Sequence, residues 1–192
     1  MDFNTQSNLA LKYIQQTGCH LFLTGKAGTG KTTFLRQLKE ISPKRMIVVA
    51  PTGVAAINAG GVTIHSFFQL PFGPYLPTET TGQQQKSPVS YNQFRREKLN
   101  IIRSIDLLVI DEISMVRADL LDAVSDTMQR IRHSNKPFGG VQLLLIGDMQ
   151  QLAPVAKEEE WNLLKPFYAS PYFFDSNALK ASSYISIELT HV

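Results

Sequence analysis

The stretch GKAGTGKTTF, residues 25–34, matches the phosphate-binding loop pattern G-x-x-x-x-G-K-[ST]. It follows the apolar run HLFLTG, which predicts a strand, and leads into TTFLRQLKEI, whose apolar side chains recur at helical spacing. Glycines in such a loop let backbone N–H groups point at an anion, and the helix N-terminus adds partial positive charge. We therefore predict a nucleotide site in which Lys31 neutralises the terminal phosphates and the hydroxyl of Thr32 holds magnesium. The predicted nucleotide contacts are Gly25, Ala27, Gly28, Thr29, Gly30, Lys31, Thr32 and Thr33.

A glycine-rich turn that binds nothing is the alternative for this stretch. The flanking strand and helix disfavour it, because they supply the context that the loop pattern requires.

Four further apolar runs predict the rest of a sheet: MIVVAP, LLVIDE, QLLLIGD and YISIEL. Their apolar residues are nearly continuous rather than alternating, which is typical of parallel strands buried on both faces. The fold class predicted is therefore α/β, with a parallel sheet sandwiched between helices. In such sheets, the polar residues that follow the strand ends line the ligand crevice. The chain of 192 residues has room for one such core.

Two adjacent acids, Asp111 and Glu112, end the run LLVIDE. We predict that Asp111 reaches the magnesium shell and that Glu112 orients and deprotonates the attacking water. Gln151 follows the run QLLLI, and we predict that its neutral amide senses the γ-phosphate. The alternatives are a solvated strand end for the acids and an ordinary loop glutamine for Gln151.

Composition and charge limit the classes of protein to which the chain can belong. The net charge of +3 with a pI of about 9.0 is compatible with a phosphate-rich partner. The single cysteine excludes an internal disulfide and a cysteine-only zinc site. The sequence carries neither an export signal nor an apolar run of membrane-spanning length, so we predict a soluble intracellular protein, cytoplasmic if bacterial and otherwise nuclear or mitochondrial. Residues 73–93 are rich in Pro, Gly, Gln, Ser and Thr and predict a long surface loop.

The segment APTGVAAINAGGVTIHSFF, residues 50–68, has no evident use in a simple nucleotide switch. It begins with small side chains at a strand end, suited to gripping backbone phosphate, and ends with hydroxyls and an imidazole beside aromatic rings. That combination favours phosphate contact with base stacking on a single strand. Phe67 and Phe68 taken alone are more often core residues. The predicted contacts with single-stranded DNA are Pro51, Thr52, Gly53, Thr63, His65 and Phe68.

The four segments GKAGTGKTT, APTGVAAINAGGVTIHSFF, DEISMV and GDMQQLAPV, in this order and spacing, resemble motifs I, Ia with Ib, II and III of the Pif-type DNA helicases of superfamily one. The resemblance implies a RecA-like phosphate-loop NTPase that uses ATP and Mg²⁺ to move 5′ to 3′ on single-stranded DNA. It also implies unwinding of duplexes at single-strand/double-strand junctions and of G-quadruplex DNA, in replication, recombination, repair and telomere maintenance. By position, Gln6 matches the adenine-reading glutamine of the family.

The resemblance further implies how the chain is divided. Residues 1–155 correspond to the first motor domain, residues 156–168 to a small wedge-like insertion, and residues 169–192 to the final strand region of that domain. The second motor domain, which supplies an arginine finger in the family, is not matched in this chain. We predict that Trp161 serves packing and that the chain is monomeric.

Two other readings stay open at this point. One is a DNA-binding or partner-binding module whose nucleotide site is vestigial, and the other is a nucleotide switch without nucleic acid. The intact Lys31, Thr32, Asp111 and Glu112 disfavour the first, and the segment TIHSFF disfavours the second.

Overall fold

The computed structural model describes residues 5–77 and 94–190. Within them the chain forms six strands and eight helices that alternate along most of its length. The strands are β1 His20–Thr24, β2 Met46–Ala50, β3 Val62–Thr63, β4 Leu107–Ile110, β5 Gln142–Gly147 and β6 Tyr184–Glu188. The helices are α1 Thr5–Gln16, α2 Lys31–Ile41, α3 Gly53–Asn58, α4 Ile64–Phe68, α5 Arg96–Ser104, α6 Ala118–Arg132, α7 Glu158–Leu164 and α8 Asn177–Lys180.

The strands form one parallel sheet in the order β3-β2-β4-β5-β1-β6. The register pairs Val49 with Ile110, and Thr24 with Gly147, so neighbouring strands end at nearly the same level. The loops that follow β2, β4, β5 and β1 therefore leave from adjacent positions along one rim of the sheet. This rim carries the segments that the sequence singles out.

Both faces of the sheet are buried, as the continuous apolar runs predict. Alternate residues of each central strand face opposite layers: in β4, Leu108 and Ile110 pack in the layer containing α5 and α6, while Leu107 and Val109 pack in the layer containing α1 and α2. The predicted α/β class with a sandwiched parallel sheet is confirmed, and its topology is that of a RecA-like domain.

Local details of the sequence predictions differ from the structure. All five predicted strands are present, but the two-residue strand β3 and the helix α5 were not predicted. In α1 the core face consists of Ala10, Leu11 and Ile14, whereas Leu9 is exposed. Most of the predicted surface loop at residues 73–93 lies outside the described residues. No described helix is long and apolar enough to cross a membrane.

The segment at residues 156–168 packs against the body of the domain. Leu164 and Tyr168 are buried against Ala118 at the start of α6, and Trp161 joins the same cluster as a partly buried side chain. The packing role predicted for Trp161 is confirmed. The domain boundaries stay predictions.

Candidate functional site

The phosphate-binding loop lies between β1 and α2, as its sequence pattern requires. Gly25 has no space for a side chain, because a Cβ there would lie 2.5 Å from Oγ1 of Thr29 and 2.6 Å from the carbonyl oxygen of Leu189. Gly28 and Gly30 adopt φ values of 83° and 88°, in the left-handed region that favours glycine. These conformations form the concave backbone turn that precedes the N-terminus of α2.

Lys31 is the first residue of α2 and closes the loop on itself. Its Nζ donates to the carbonyl oxygens of Gly25 at 2.6 Å and Lys26 at 3.0 Å. Thr32 and Thr33 are exposed on the first turn of the helix. A phosphate seated in the loop would compete for the Lys31 ammonium, which is held next to the backbone N–H groups that cradle anions.

The acid pair follows β4, two strands away from the loop. Burial raises the pKa of Asp111, and the neighbouring Glu112 carboxylate adds to that rise, while the Glu112 N–H and the ammonium groups of Lys31 and Lys39 oppose it. Lys31 therefore acts electrostatically on Asp111, as a shared phosphate and metal site requires. The N–H of Glu112 donates to Oδ1 of Asp111 at 3.0 Å.

Glu112 itself adopts a left-handed conformation, with φ 53° and ψ 44°. This region costs a non-glycine residue about 1–2 kcal/mol, and strained residues of this kind cluster at functional sites. The conformation begins the short 3₁₀ turn Ile113–Met115 and sets Glu112 at the bend where the chain leaves the sheet.

The donor set at this rim fits magnesium. Mg²⁺ is ordinarily held by one or two carboxylates, with water and substrate phosphates completing an octahedron. Asp111 and the hydroxyl of Thr32 are hard oxygen donors of that kind. Within residues 5–77 and 94–190, no group of three His, Cys, Asp or Glu side chains could hold a metal ion, so these residues would need phosphate oxygens to complete the shell.

The loop after β5 holds the predicted sensor. Asp148 is buried and organises this loop: its Oδ1 accepts from the N–H of Gln150 at 2.9 Å, and its Oδ2 accepts from Nε2 of Gln151 at 3.1 Å. The amide of Gln151 is thus held by Asp148 and remains exposed. Its contact with a γ-phosphate stays a prediction.

Gln6 lies near the nucleotide loop although it is far away in sequence. Its Nε2 donates to Oγ1 of Thr190 at 3.4 Å, and the adjacent Leu189 donates its N–H to Thr24 at the end of β1. This contact brings α1 to the base of the loop that starts at Gly25. The position agrees with a contact to the base of a nucleotide, a role that stays a prediction.

A cavity of about 360 Å³ lies on the same rim, beyond the acid pair and next to the end of β2. Three of the predicted DNA contacts line it, namely Pro51, Thr52 and His65. Burial lowers the pKa of His65, and the nearby Arg117 guanidinium lowers it further, while Asp119 opposes them. The imidazole is therefore neutral near pH 7. We call this cavity the rim groove. Besides Pro51, Thr52 and His65, the residues that line it are Phe72, Gly73, Met115, Arg117, Leu120, Val155, Lys157 and Glu160.

The predicted contact of Phe68 with DNA is wrong in this structure. The ring is 0% exposed and packs edge-on against Phe67 at a centroid distance of 4.9 Å. Aromatic rings bury a large apolar area, and the core interpretation of Phe67 and Phe68 is the one confirmed.

Two other predicted DNA contacts lie outside the rim groove. Thr63 caps α4 by accepting from the N–H of Ser66 at 3.3 Å, and Gly53 is exposed at the start of α3. Thr52 caps α3 in the same way, accepting from the N–H of Ala55 at 3.2 Å. A capping hydroxyl keeps its own proton free to donate, so Thr52 and Thr63 can still serve a phosphate oxygen.

Arg117 was missed at the sequence level. It donates from Nε and Nη2 to the Asp119 carboxylate at 2.9 Å and 2.8 Å, pairs through Nη1 with Glu160 of α7, and donates to the carbonyl oxygen of Gly73 at 3.1 Å. These contacts join the loop at Gly73, the start of α6 and α7. Glu160 and Gly73 lie 43 and 44 positions from Arg117 in the sequence, so no local pattern signals these two contacts.

A larger cavity of about 710 Å³ lies elsewhere, next to Asp122 and Asp126 of α6. Asp122 is buried, and each of its oxygens accepts two hydrogen bonds. The donors to Oδ1 are the Ser176 hydroxyl at 2.5 Å and the Ala178 N–H at 2.9 Å; those to Oδ2 are the Tyr168 hydroxyl at 2.9 Å and the Asn177 N–H at 3.1 Å. None of the predicted site residues lines this cavity, and Asp122 here has a structural role.

Comparison with known proteins gives a consistent result. A PIF1-like helicase family profile matches residues 5–167. The ATP-dependent DNA helicase PIF1 of Saccharomyces cerevisiae is 36% identical over 186 residues, covering 93% of this chain and 20% of that protein. The chain thus spans about a fifth of the length of this curated relative.

Two solved structures of Pif1 helicases are similar to this chain over its whole length. The crystal structure of Pif1 helicase from Bacteroides in complex with ADP-AlF3 and ssDNA has 43% sequence identity and a TM-score of 0.90, covering 100% of this chain and 43% of that one. A structure of two coordinating Pif1 helicases at forked dsDNA has 43% identity and a TM-score of 0.91, covering 100% of this chain and 44% of that one.

Proposed function

The chain belongs to the PIF1-like helicase family, and from this premise we propose that it is the first ATPase domain of a DNA helicase, which couples ATP hydrolysis to movement along single-stranded DNA. The solved relative that binds both ADP-AlF3 and ssDNA supports a domain with two ligands. The substrates of the whole protein are ATP and DNA in this proposal.

One observation carries the coupling. Two segments begin among the residues proposed to handle ATP and end in the rim groove. The first runs from Asp111 and Glu112 to Met115, and the second runs from Asp148 to Val155. Movement of either acid-bearing turn would therefore change the shape of the DNA-facing cavity. A nucleotide switch without nucleic acid gives no reason for this continuity.

The arrangement of polar residues along one rim of the sheet supports the following proposed roles. Lys31 binds the terminal phosphates, the Thr32 hydroxyl and Asp111 hold the metal, and Glu112 orients the attacking water and accepts its proton. A bound Mg²⁺ supplies charge neutralisation for the phosphates. Gln151 is released from Asp148 to contact the γ-phosphate, and this contact is lost after hydrolysis. Gln6 reads the adenine.

The finer features come from the family resemblance. We propose movement in the 5′-to-3′ direction, binding at single-strand/double-strand junctions, and unwinding of G-quadruplex DNA, with roles in repair, recombination and telomere maintenance. The forked-DNA complex of the relative supports the junction as a substrate. Residues 156–168 are proposed as the wedge-like insertion and a monomer as the working state. We propose an intracellular setting, cytoplasmic in a bacterium and nuclear or mitochondrial otherwise.

The first prediction concerns DNA binding by this chain. Filter binding of a single-stranded oligonucleotide over a series of salt concentrations should give a log affinity that falls linearly with log salt, because phosphate contacts release counterions. The matched ligand is an uncharged polymer of similar length, which should not bind. Failure of the chain to bind the oligonucleotide at low salt would contradict the proposal and favour the nucleotide switch.

The second prediction concerns catalysis. The 192-residue polypeptide alone should turn over ATP negligibly, with or without single-stranded DNA. In related phosphate-loop enzymes a cationic finger contributes about 10³–10⁵ in rate, and in the Pif-type family this finger is expected from the facing domain. Phosphate release is the measurement, and a strong stimulation by single-stranded DNA would contradict the prediction.

A further inference from the structure

We infer that Phe72, stacked on His65, is a base-stacking platform that holds one unpaired nucleobase in the rim groove. This inference rests on the proposed function and adds to it a contact that the family motifs do not identify. It concerns the part of DNA affinity that comes from bases rather than from phosphates.

The Phe72 ring is exposed on one face and covered on the other. Phe72 is 89% exposed, the most exposed of the large apolar side chains among the described residues. One face of the ring is nevertheless occupied: it stacks on the His65 imidazole with centroids 4.9 Å apart and planes 25° from parallel. The opposite face is left to solvent, which is the geometry a stacking base needs.

The loop that follows Phe72 is anchored to the start of α6. The carbonyl oxygen of Gly73 accepts from Arg117 at 3.1 Å, and the N–H of Tyr75 donates to Asp119 at 2.9 Å. Arg117 and Asp119 form an ion pair with each other, and their side chains are only 13% and 2% exposed, respectively. An exposed aromatic ring on a tethered loop loses little conformational entropy when a ligand stacks on it.

The groove around the Phe72 ring offers little unpaired positive charge. The Arg117 guanidinium is paired with Asp119 and Glu160, so it offers little free charge to a DNA phosphate. The neutral His65 adds none. Lys157 is the remaining cation among the residues lining the groove. Base stacking on Phe72 should therefore contribute a part of the DNA affinity that salt screens only weakly. Pro51 and Thr52, where the DNA backbone is proposed to run, line the same groove.

Stacking on an aromatic platform is tolerant of sequence, because every base has an aromatic face. The ligand class is therefore any unpaired base rather than a particular nucleotide.

The experiment compares a thymidine oligonucleotide with an abasic oligonucleotide of the same length, measured by fluorescence anisotropy with the 192-residue chain. The wild-type chain should bind the thymidine oligonucleotide more tightly. Phe72→Ala should lose about 5- to 150-fold in affinity for the thymidine oligonucleotide, because stacking contributes about 1–3 kcal/mol per base. It should lose nothing on the abasic oligonucleotide, with an unchanged salt dependence. Phe72→Trp should restore binding, and Ile41→Ala, an exposed apolar change outside the groove, should have no effect.

The possible results distinguish a failure of the Phe72 stacking platform from a failure of the proposed function. Salt-dependent binding by the wild type with an unaffected Phe72→Ala variant overturns the stacking platform alone. An equal loss on both oligonucleotides also overturns it, because the ring would then act only through the loop structure. A wild-type chain that binds neither oligonucleotide defeats the proposed function itself.

Discussion

Glu112→Gln reduces DNA-stimulated ATP turnover by about 10²–10⁴ in a protein that carries this chain together with a second motor domain, because the amide cannot take the proton of the attacking water. Gln has nearly the same shape as Glu, so the left-handed bend at this residue and the position of Asp111 beside it are kept. The affinity for Mg-ATP should stay within about threefold, since Lys31 and Asp111 are intact. Single-turnover phosphate release and nucleotide binding are the two measurements.

Two variants control this result. Glu97→Gln, at an exposed acid in the first turn of α5, should turn over ATP at the wild-type rate. Glu112→Gly removes the same carboxylate and also relieves the strain of the left-handed conformation. It should be as inactive as Glu112→Gln, but its free energy of unfolding should exceed that of Glu112→Gln by up to about 1 kcal/mol. An active Glu112→Gln enzyme would exclude Glu112 as the base. A Glu112→Gly chain with lower stability would remove the argument from strain.

The polar ends of the sheet could be predicted from the sequence because their signals are local. Each of β1, β2, β4 and β5 is a short apolar run, and its functional residues follow directly in the chain. Parallel pairing then brings Lys31, Thr52, Asp111 and Asp148 to one rim without further information. The residues that connect the rim to its surroundings depend on distant partners and carry no such signal.

Phe68 and Phe72 illustrate the difference. Both aromatics lie in or just after the segment proposed to contact DNA, and composition alone does not separate them. Burial of Phe68 follows from the packing of α4 on the layer that contains α5 and α6, and α5 itself was not predicted. The loop that follows Phe72 is held by a hydrogen bond that Arg117 donates to Gly73 and by one that Asp119 accepts from Tyr75, and in each the partners are 44 positions apart in the sequence.

Asp122 is a second residue whose role the sequence does not reveal. In VRADLLDAVSDTMQRIR it looks like one of several solvated polar residues on an amphipathic helix. The structure instead places it at 7% exposure, under the segment that leads through α8 to the last strand. Its four donors all come from residues 168–178, so four hydrogen bonds between α6 and the end of the domain converge on one carboxylate.

Asp122→Ala should therefore lower the free energy of unfolding of the chain by about 3–5 kcal/mol, because it leaves two N–H groups and two hydroxyls without their buried acceptor. Asp122→Asn should also destabilise the fold, although it fills the same volume. Its NH₂ group would meet either the N–H of Ala178 or that of Asn177, since each carboxylate oxygen accepts one of them. Urea denaturation followed by circular dichroism measures both variants.

The matched control is Asp106→Ala, which removes a carboxylate that also accepts several hydrogen bonds, but at the surface. Asp106 pairs with Arg45 at 2.9 Å, and the two side chains are 39% and 65% exposed. Exposed pairs of this kind contribute at most about 1 kcal/mol, because water replaces the lost contacts. Equal losses for Asp106→Ala and Asp122→Ala would mean that burial of the Asp122 network does not set its contribution. A larger loss for Asp122→Ala with a near-neutral Asp122→Asn would instead assign the effect to the cavity rather than to the hydrogen bonds.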